Sequence, residues 1–138
     1  MEPTIIAGGC NADARGTVFF NNSFDASEIN RVYVIENISP IFIRAWQGHR
    51  IEQRWFSAIQ GSFKIQLIEI DNWDNPSKDL HQFSFVLNAT KMDVLHIPAG
   101  YVSSIQAQEK GAKLLVMANY RMGEIKDEYR FDVDYFKK

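Results

Sequence analysis

One cysteine is all that the sequence contains, and this scarcity excludes two kinds of structure. A single thiol, Cys10, cannot form an internal disulfide, and it cannot build a zinc site that needs several cysteines. A lone cysteine is also more often a small, partly buried residue than a nucleophile. We therefore expect neither disulfide support nor cysteine-based catalysis.

Blocks of like charge and long apolar runs are absent as well. Fifteen Lys and Arg residues stand against 17 Asp and Glu residues, and no block of five or six like charges forms a nucleic-acid footprint. The longest apolar runs, such as "KLLVMA", fall short of the roughly 20 residues of a membrane helix. The start "MEPTIIAGG" lacks the basic region of a secretory signal. The sequence therefore predicts a cytoplasmic protein that binds neither nucleic acid nor membrane.

What the chain does contain is a series of short strand-like segments rich in Val, Ile, Phe, Tyr and Trp, separated by Gly, Pro, Asn, Asp and Ser. They lie at 17–20, 31–37, 41–46, 53–59, 63–70, 82–87, 93–98, 102–108 and 113–119. Amphipathic helices do not alternate with them, which argues against a parallel α/β sheet. The pattern predicts a single all-β domain over residues 1–138, an antiparallel sandwich or barrel, with a C-terminal tail that is a short helix or an arm on the barrel.

Two corners of this barrel resemble the two sequence motifs of the cupin fold, a jelly-roll or double-stranded β-helix. Aligning His49 with the second histidine of the first motif places Gln47 on the first histidine, Gln53 or Arg54 on the glutamate, and Gly61 on the closing glycine. In the second motif, Pro98 and Gly100 match, and Ser103 takes the place of the histidine. One histidine among amides, arginine and serine cannot hold a transition metal tightly, so we predict no bound metal.

Without a metal, the first corner still predicts a polar pocket. Residues two apart on a strand face the same side, so Gln47 and His49 point into the barrel mouth, and Gln53 and Trp55 continue that face if no bulge intervenes. Arg44 lies close by. A guanidinium suits phosphate oxygens, an imidazole suits proton transfer near neutral pH, and an aromatic face suits a sugar or base. This set indicates a site for a phosphorylated carbohydrate. The alternative is that His49, His81 and His96 have structural roles only, and that Trp46, Trp55 and Trp73 belong to the hydrophobic core.

The order of the segments resembles one family, the WxcM-like cupins, which include 3,4-ketoisomerases of dTDP-linked 4-keto-6-deoxyglucose and are related in fold to 3,5-epimerases. The resemblance rests on "DARGTVFF" (13–20), "INRVYVIEN" (29–37), "RAWQGHRIEQRWFSAIQGSFKIQL" (44–67), "LHIPAGYV" (95–102) and "KLLVMANYRMGEIKDEYRFDVDYF" (113–136). It implies a cofactor-free cupin, a homodimer with an exchanged or shared N-terminal strand, and a nucleotide-linked deoxysugar as substrate. It further implies proton abstraction next to the sugar ketone through an enediol.

The resemblance also suggests roles for individual residues. It implies His49 as acid and base, Gln47 as a donor to the developing oxyanion, and Arg44 on the diphosphate, with Tyr33 or Tyr101 shuttling a proton or contacting the sugar. Gln53, Trp55 and Ser103 complete the expected substrate-binding set. The family's paired histidines are replaced here by Gln47 and His49, and an amide cannot act as a general base. Three alternatives therefore stay open: His49 is the base, the reaction is a simpler one-site epimerisation, or the chain is a sugar-nucleotide or carbohydrate binding module without chemistry.

Overall fold

The computed structural model describes residues 1–136, in which every regular element is a β-strand. The strands are β1 (Thr4–Ile6), β2 (Gly9–Asp13), β3 (Gly16–Phe20), β4 (Arg31–Ile35), β5 (Ile43–His49), β6 (Arg54–Gln60), β7 (Ser62–Glu69), β8 (Phe83–Asn88), β9 (Val94–Ile97), β10 (Tyr101–Ala107), β11 (Lys113–Ala118) and β12 (Tyr129–Arg130). The all-β prediction is confirmed. No helix capable of crossing a membrane occurs in the described part of the chain.

The strands form two five-stranded antiparallel sheets and a separate hairpin. One sheet has the order β1-β9-β6-β11-β4, the other the order β12-β5-β10-β7-β8, and β2 and β3 form a two-stranded sheet. The crossovers between neighbours make this the predicted jelly-roll barrel of the cupin fold. Up to Phe136, the tail is an arm rather than a helix, because β12 adds to the edge of the second sheet beside β5; residues 137–138 lie outside the described part of the chain.

The main core lies between the two sheets. It is built from inward-facing residues of both sheets, and its fully buried members include Phe63, Ile65, Leu67, Leu95 and Leu114. Their spacing of two along β7 is the alternation that the sequence shows, because successive strand residues face opposite sides. A second apolar cluster, around Trp46 and Phe136, packs the C-terminal arm onto the barrel.

Two glycines of the predicted corners have backbone conformations that favour glycine. Gly61, in the one-residue turn between β6 and β7, has a φ of 68°, and Gly100, at the corner before β10, has a φ of 95°. Residues with a side chain rarely adopt these φ angles. The backbone geometry of the two turns therefore explains the glycines, and no bound ligand is needed to explain them. Cys10 lies exposed on β2, whereas the sequence suggested partial burial.

A β-bulge in β5 determines which of its side chains face the barrel interior. Along the β5–β10 pair, Gln47 lies opposite Ser103 and Arg44 lies opposite Ile105, so three steps along β5 match two along β10. An extra residue of this kind changes which face later side chains occupy. As a result, Arg44 and Gln47 both face the barrel interior although they are an odd number of residues apart.

Candidate active site

A pocket with polar and apolar walls lies between the sheets, along β5 from Arg44 to His49, where the corner at 98–100 lies beside His49. Residues of β4, β5, β6, β9 and β10 surround it: Tyr33, Ile35, Arg44, Gln47, Gly48, His49, Arg54, Phe56, Ile97, Tyr101, Ser103 and Ile105. It opens into a wider groove whose outer wall is the segment from Arg121 to Arg130. The structure therefore brings Tyr33, Arg44, Gln47, His49, Tyr101 and Ser103 together around one pocket.

Gln53 and Trp55 lie outside this pocket, contrary to the expectation that they continue the face of His49. Residues 50–53 leave the strand as a bend, and β6 begins only at Arg54, so the alternation restarts and Arg54 points inward. On the outer face, Trp55 stacks on His96 with ring centroids 5.1 Å apart, and Gln53 Oε1 lies 2.6 Å from His96 Nε2. Neither side chain is placed to touch a ligand in the pocket.

The orientation of His49 follows from its neighbours. Its Nδ1 lies 2.8 Å from the backbone carbonyl oxygen of Asp127. A carbonyl oxygen only accepts, so Nδ1 carries the hydrogen and Nε2 of the neutral ring has a free lone pair. No buried side-chain nitrogen or oxygen of the described residues lacks a partner, and Nε2 makes no hydrogen bond among them. Nε2 is therefore open to solvent or to a ligand in the pocket.

Burial keeps this imidazole neutral. The pKa of His49 lies below its ordinary value, chiefly because burial penalises the charged ring and also because the positive charge of Arg54 is near. The carboxylates of Glu52 and Asp127 oppose the shift and do not overcome it. A neutral imidazole with an accessible Nε2 is the form that a general base requires near pH 7.

Asp127 holds the bend that follows His49. Its carboxylate accepts the backbone N–H groups of Arg50, Ile51 and Glu52 at 2.9, 2.9 and 2.8 Å. The side chain is buried, 3% exposed, so these charged hydrogen bonds are sheltered from water. No local sequence pattern marks this residue, because its partners lie 75 to 77 positions away along the chain.

Arg54 brings a positive charge into the pocket. In the sequence, it is only one of two candidates, with Gln53, for the glutamate position of the first cupin motif. Its Nε and Nη2 both lie 2.6 Å from Glu52 Oε2, and its Nη1 donates to the hydroxyl of Tyr33. The Arg54 and Glu52 side chains are 12% and 7% exposed. Because the Tyr33 oxygen accepts from Arg54, its own hydrogen is free to donate elsewhere. Arg54, Glu52 and Tyr33 thus form a buried polar network next to His49.

The part of β5 from Arg44 to His49 is held in place by close packing and by hydrogen bonds. Gly48 has no room for a side chain, since a Cβ there would lie 2.3 Å from the carbonyl oxygen of Tyr101. The amide of Gln47 donates to Glu128 Oε1 at 2.8 Å, and Arg44 Nε donates to Asn37 Oδ1 at 3.3 Å. These contacts hold both pocket side chains from outside the pocket.

Tyr101 and Ser103 come from β10. The Tyr101 hydroxyl donates to the carbonyl oxygen of Met1 at 3.0 Å, and burial, together with the charges of Glu69 and Glu2, raises the pKa of Tyr101. The hydroxyl proton of Tyr101 is therefore held in a hydrogen bond, and the raised pKa disfavours its release. Ser103 Oγ donates at 3.4 Å to the backbone carbonyl of Gln47. Within residues 1–136, no group of three or more His, Cys, Asp or Glu side chains is arranged to hold a metal ion.

The groove outside the pocket is rich in cations. Its walls carry Arg31, Arg44, Arg54, Arg121, Lys126 and Arg130 together with the acids Glu36, Glu52, Asp127 and Glu128. Glu52 pairs with Arg54, and Glu128 pairs with Arg130 at 2.6 Å. Arg31, Arg44, Arg121 and Lys126 form no ion pair within the described residues, so the groove has cationic groups free for an anion.

An antiparallel two-sheet barrel with a polar pocket between its sheets places the protein in the cupin class. Within that class, the chain belongs to the WxcM-like, C-terminal (FdtA) family, whose model matches residues 3–138. None of the curated proteins compared with the chain by sequence matches it.

Solved structures share the fold. The 3,4-ketoisomerase QdtA of Thermoanaerobacterium thermosaccharolyticum, a variant of which is known in complex with TDP-4-keto-6-deoxyglucose, is 23% identical, with a TM-score of 0.72 over 98% of this chain and 91% of that one. The WlaRB TDP-quinovose 3,4-ketoisomerase of Campylobacter jejuni is 23% identical, with a TM-score of 0.66 over 99% and 98% of the chains. The rmlC epimerase of Mycobacterium tuberculosis is 12% identical, with a TM-score of 0.77 over 96% and 70%. The protein therefore has the fold of dTDP-sugar isomerases and epimerases.

Proposed function

We propose that the protein is an isomerase or epimerase of a nucleotide-linked 4-keto-6-deoxysugar, with a dTDP sugar as the first candidate. The observation that carries the proposal is His49, a neutral imidazole whose Nδ1 is bound to a carbonyl and whose Nε2 is free at the pocket. The ligands named for the fold relatives, TDP and TDP-4-keto-6-deoxyglucose, support the substrate class. A cytoplasmic location is proposed with it.

The chemistry needs one base and one set of donors. His49 Nε2 removes the proton from the carbon next to the ketone, and the ketone oxygen gains negative charge. The amide of Gln47, the guanidinium of Arg54 and the hydroxyl of Tyr33 line the same pocket and can donate to that oxygen. Protonated His49 then gives the proton to the neighbouring carbon, the former ketone carbon, while the hydroxyl on the first carbon loses a proton and the oxygen on the other gains one. Return of the proton to the first carbon on the same face restores the substrate, so an epimerisation would need a second proton donor on the opposite face.

The groove suits the nucleotide end of such a substrate. Arg44 joins the pocket to the groove, and Arg31, Arg121 and Lys126 lie farther out. A diphosphate takes charge-assisted hydrogen bonds from guanidinium groups, so a sugar in the pocket would place its diphosphate among these residues. We therefore assign diphosphate binding to the groove and the reacting sugar to the pocket.

A second function is favoured by one observation. Gln47 occupies the expected position of a histidine and its amide is bound to Glu128, so this position supplies no second base. A protein that binds the sugar nucleotide without transforming it would have the same groove and the same scaffold. The two functions differ in whether carbon-bound protons exchange.

Proton exchange tests the proposal directly. The protein is incubated in deuterated water with several nucleotide-linked 4-keto-6-deoxysugars, and deuterium at the carbons next to the ketone is followed by NMR. We expect incorporation that falls by about 10²-fold or more in His49→Asn. His81→Asn is the matched control, because His81 packs on Phe83 outside the pocket and should exchange like the unmodified protein. Tight binding measured by calorimetry without exchange, and unchanged in His49→Asn, would favour the binding module.

We also propose a homodimer, because two parts of the fold expose apolar strand surface. Among the described strands, the β2–β3 hairpin pairs only with itself; it exposes Val18 and Phe19, and the edge strand β4 exposes Val32 and Val34. An isolated hairpin is only marginally stable in water, so a second copy covering it would stabilise it. Sedimentation should show a dimer that Val18→Lys weakens. Val86→Lys, the same change on the exposed face of edge strand β8, should leave it intact, and a monomeric unmodified protein would overturn the proposal.

A further inference from the structure

The groove wall formed by residues 120–128 is held to the barrel mainly at its two ends. At the first end, Asn119 Oδ1 accepts the Gln53 N–H at 2.9 Å, and the Asn119 carbonyl accepts from the Asn30 amide at 2.9 Å. At the other end, Asp127 docks on the bend at 50–52. Between them, the one backbone-to-backbone hydrogen bond of the segment within the described chain joins Glu124 N–H to the Arg121 carbonyl. Next to the site, this wall is therefore anchored by Asp127 on the bend and by Glu128, which accepts from the Gln47 amide.

The same residue touches the bend and the base through different atoms. The carboxylate of Asp127 binds the three N–H groups of the bend, and its backbone carbonyl accepts the Nδ1 hydrogen of His49. The carboxylate itself lies farther from the ring, with Oδ2 at 3.9 Å from Nδ1. The position of the carbonyl thus depends on where the carboxylate is bound.

We propose that Asp127 is a positioning residue for His49: docking of its carboxylate on the bend fixes the carbonyl that holds the ring with Nδ1 protonated and Nε2 toward the pocket. Both the docking of the Asp127 carboxylate and the tautomer of His49 are properties of the protein without a ligand. Only the statement that the oriented ring acts as a base rests on the proposed function.

Among the described residues, no other hydrogen bond holds the Nδ1 hydrogen of His49. Glu52 Oε2 lies 3.5 Å from Nδ1 and is already paired with Arg54. Arg54 only donates, the Tyr33 oxygen accepts from Arg54, and the Tyr101 hydroxyl donates to the Met1 carbonyl. If the Asp127 carbonyl moves away, the two neutral tautomers of His49 become closer in energy, and part of the population would carry its hydrogen on Nε2, where it cannot accept a proton.

Histidine NMR tests this without any substrate. In protein labelled with ¹⁵N-histidine, above the pKa of His49, we expect Nδ1 to be protonated and Nε2 to be unprotonated. Asp127→Asn replaces a carboxylate that accepts three N–H groups with an amide, which accepts through one oxygen only. We therefore expect a mixture of His49 tautomers in this variant. We also expect amide hydrogen exchange at Arg50, Ile51 and Glu52 that is faster by on the order of tenfold. Asp134→Asn makes the same chemical change at a carboxylate without a hydrogen bond in the described part of the chain, and should change neither signal.

Two results would overturn the proposal, and neither depends on activity. One is an unmodified protein whose His49 carries its hydrogen on Nε2. The other is an Asp127→Asn variant with faster exchange in the bend and the tautomer unchanged. If Asp127→Asn does not fold, the spectrum of the unmodified protein still decides the first point. In deuterium exchange with a keto-sugar nucleotide, we expect kcat to fall in Asp127→Asn with little change in KM. No exchange by the unmodified protein would count against the proposed function and leave the positioning of His49 standing.

Discussion

Removing the guanidinium of Arg54 should destabilise the fold more than removing any exposed arginine. In Arg54→Met, the carboxylate of Glu52 stays 7% exposed and loses its hydrogen bonds to Arg54, and the Tyr33 hydroxyl loses a donor. Breaking a buried ion pair by removing one partner costs about 3–5 kcal/mol of unfolding free energy, because the remaining charge is buried without compensation. A domain of this size has about 5–15 kcal/mol in total, so the variant should lose a large share of it.

Urea unfolding measures this loss, and a second substitution shows its cause. Glu52→Gln combined with Arg54→Met removes both charges, and the double variant should be more stable than Arg54→Met alone. Arg15→Met is the control, because Arg15 pairs with Asp13 at the surface with 91% and 53% of the side chains exposed, and its loss should have little measurable effect. Equal costs for Arg54→Met and Arg15→Met would refute the reasoning.

The same variant should change the protonation of His49 in a known direction. Burial is the main cause of its low pKa, and the positive charge of Arg54 adds to it. Arg54→Met therefore raises the pKa of His49, whereas Glu52→Gln lowers it, because Glu52 favours the charged ring. Titration of the His49 ring signals by NMR checks both signs. A lower pKa in Arg54→Met would show that the two groups are not coupled as the structure indicates.

Three further results are expected. Gly48→Ala should cost about 1–3 kcal/mol in urea unfolding and reduce ligand binding, because its Cβ would lie 2.3 Å from the Tyr101 carbonyl oxygen and push β5 from β10; a stability unchanged from the unmodified protein would contradict this. Leu67→Ala, at a fully buried core position, should cost about 2–5 kcal/mol in the same assay. Because the native pKa of His49 is lowered, the unfolded chain binds the extra proton first, so unfolding free energy should fall as pH drops below about 6.5, until the native pKa is passed. This fall should be smaller in His49→Gln, and an equal fall in both proteins would exclude His49 as its source.

Much of the fold could be predicted because most strands carry their own signal. In β7, the buried residues Phe63, Ile65 and Leu67 alternate with partly exposed ones, so both the strand and its inward face follow from the sequence. β1, β2 and β12 were not predicted. β1 and β12 have only three and two residues, and β2 reads "GCNAD", so pairing with neighbouring strands rather than local pattern makes them strands.

The candidate site could be predicted only where the chain is regular. Gln47 and His49 share a face because they lie two apart on one strand, and Gly61 and Gly100 mark the turns before β7 and β10. The same rule failed for Gln53 and Trp55, because a bend at 50–53 interrupts the alternation and no turn residue in "RIEQ" announces it. Asp127 contacts that bend from the far end of the chain, and a contact of that sequence separation has no local signature.

The replacement of a histidine by Gln47 limits what the pocket can do with protons. Its amide does not titrate, the Tyr101 hydroxyl is engaged with Met1, and the Tyr33 hydroxyl can donate because its oxygen accepts from Arg54. The described pocket residues thus supply one imidazole base. For the proposed reaction, this base takes a proton from one carbon and returns it on the same face of the sugar, while the Tyr33 hydroxyl is available for the exchange of a proton between the two sugar oxygens. These groups suit movement of a proton between adjacent carbons, whereas inversion of a carbon needs an acid on the opposite face. Within the proposed function, we therefore expect ketoisomerisation rather than epimerisation.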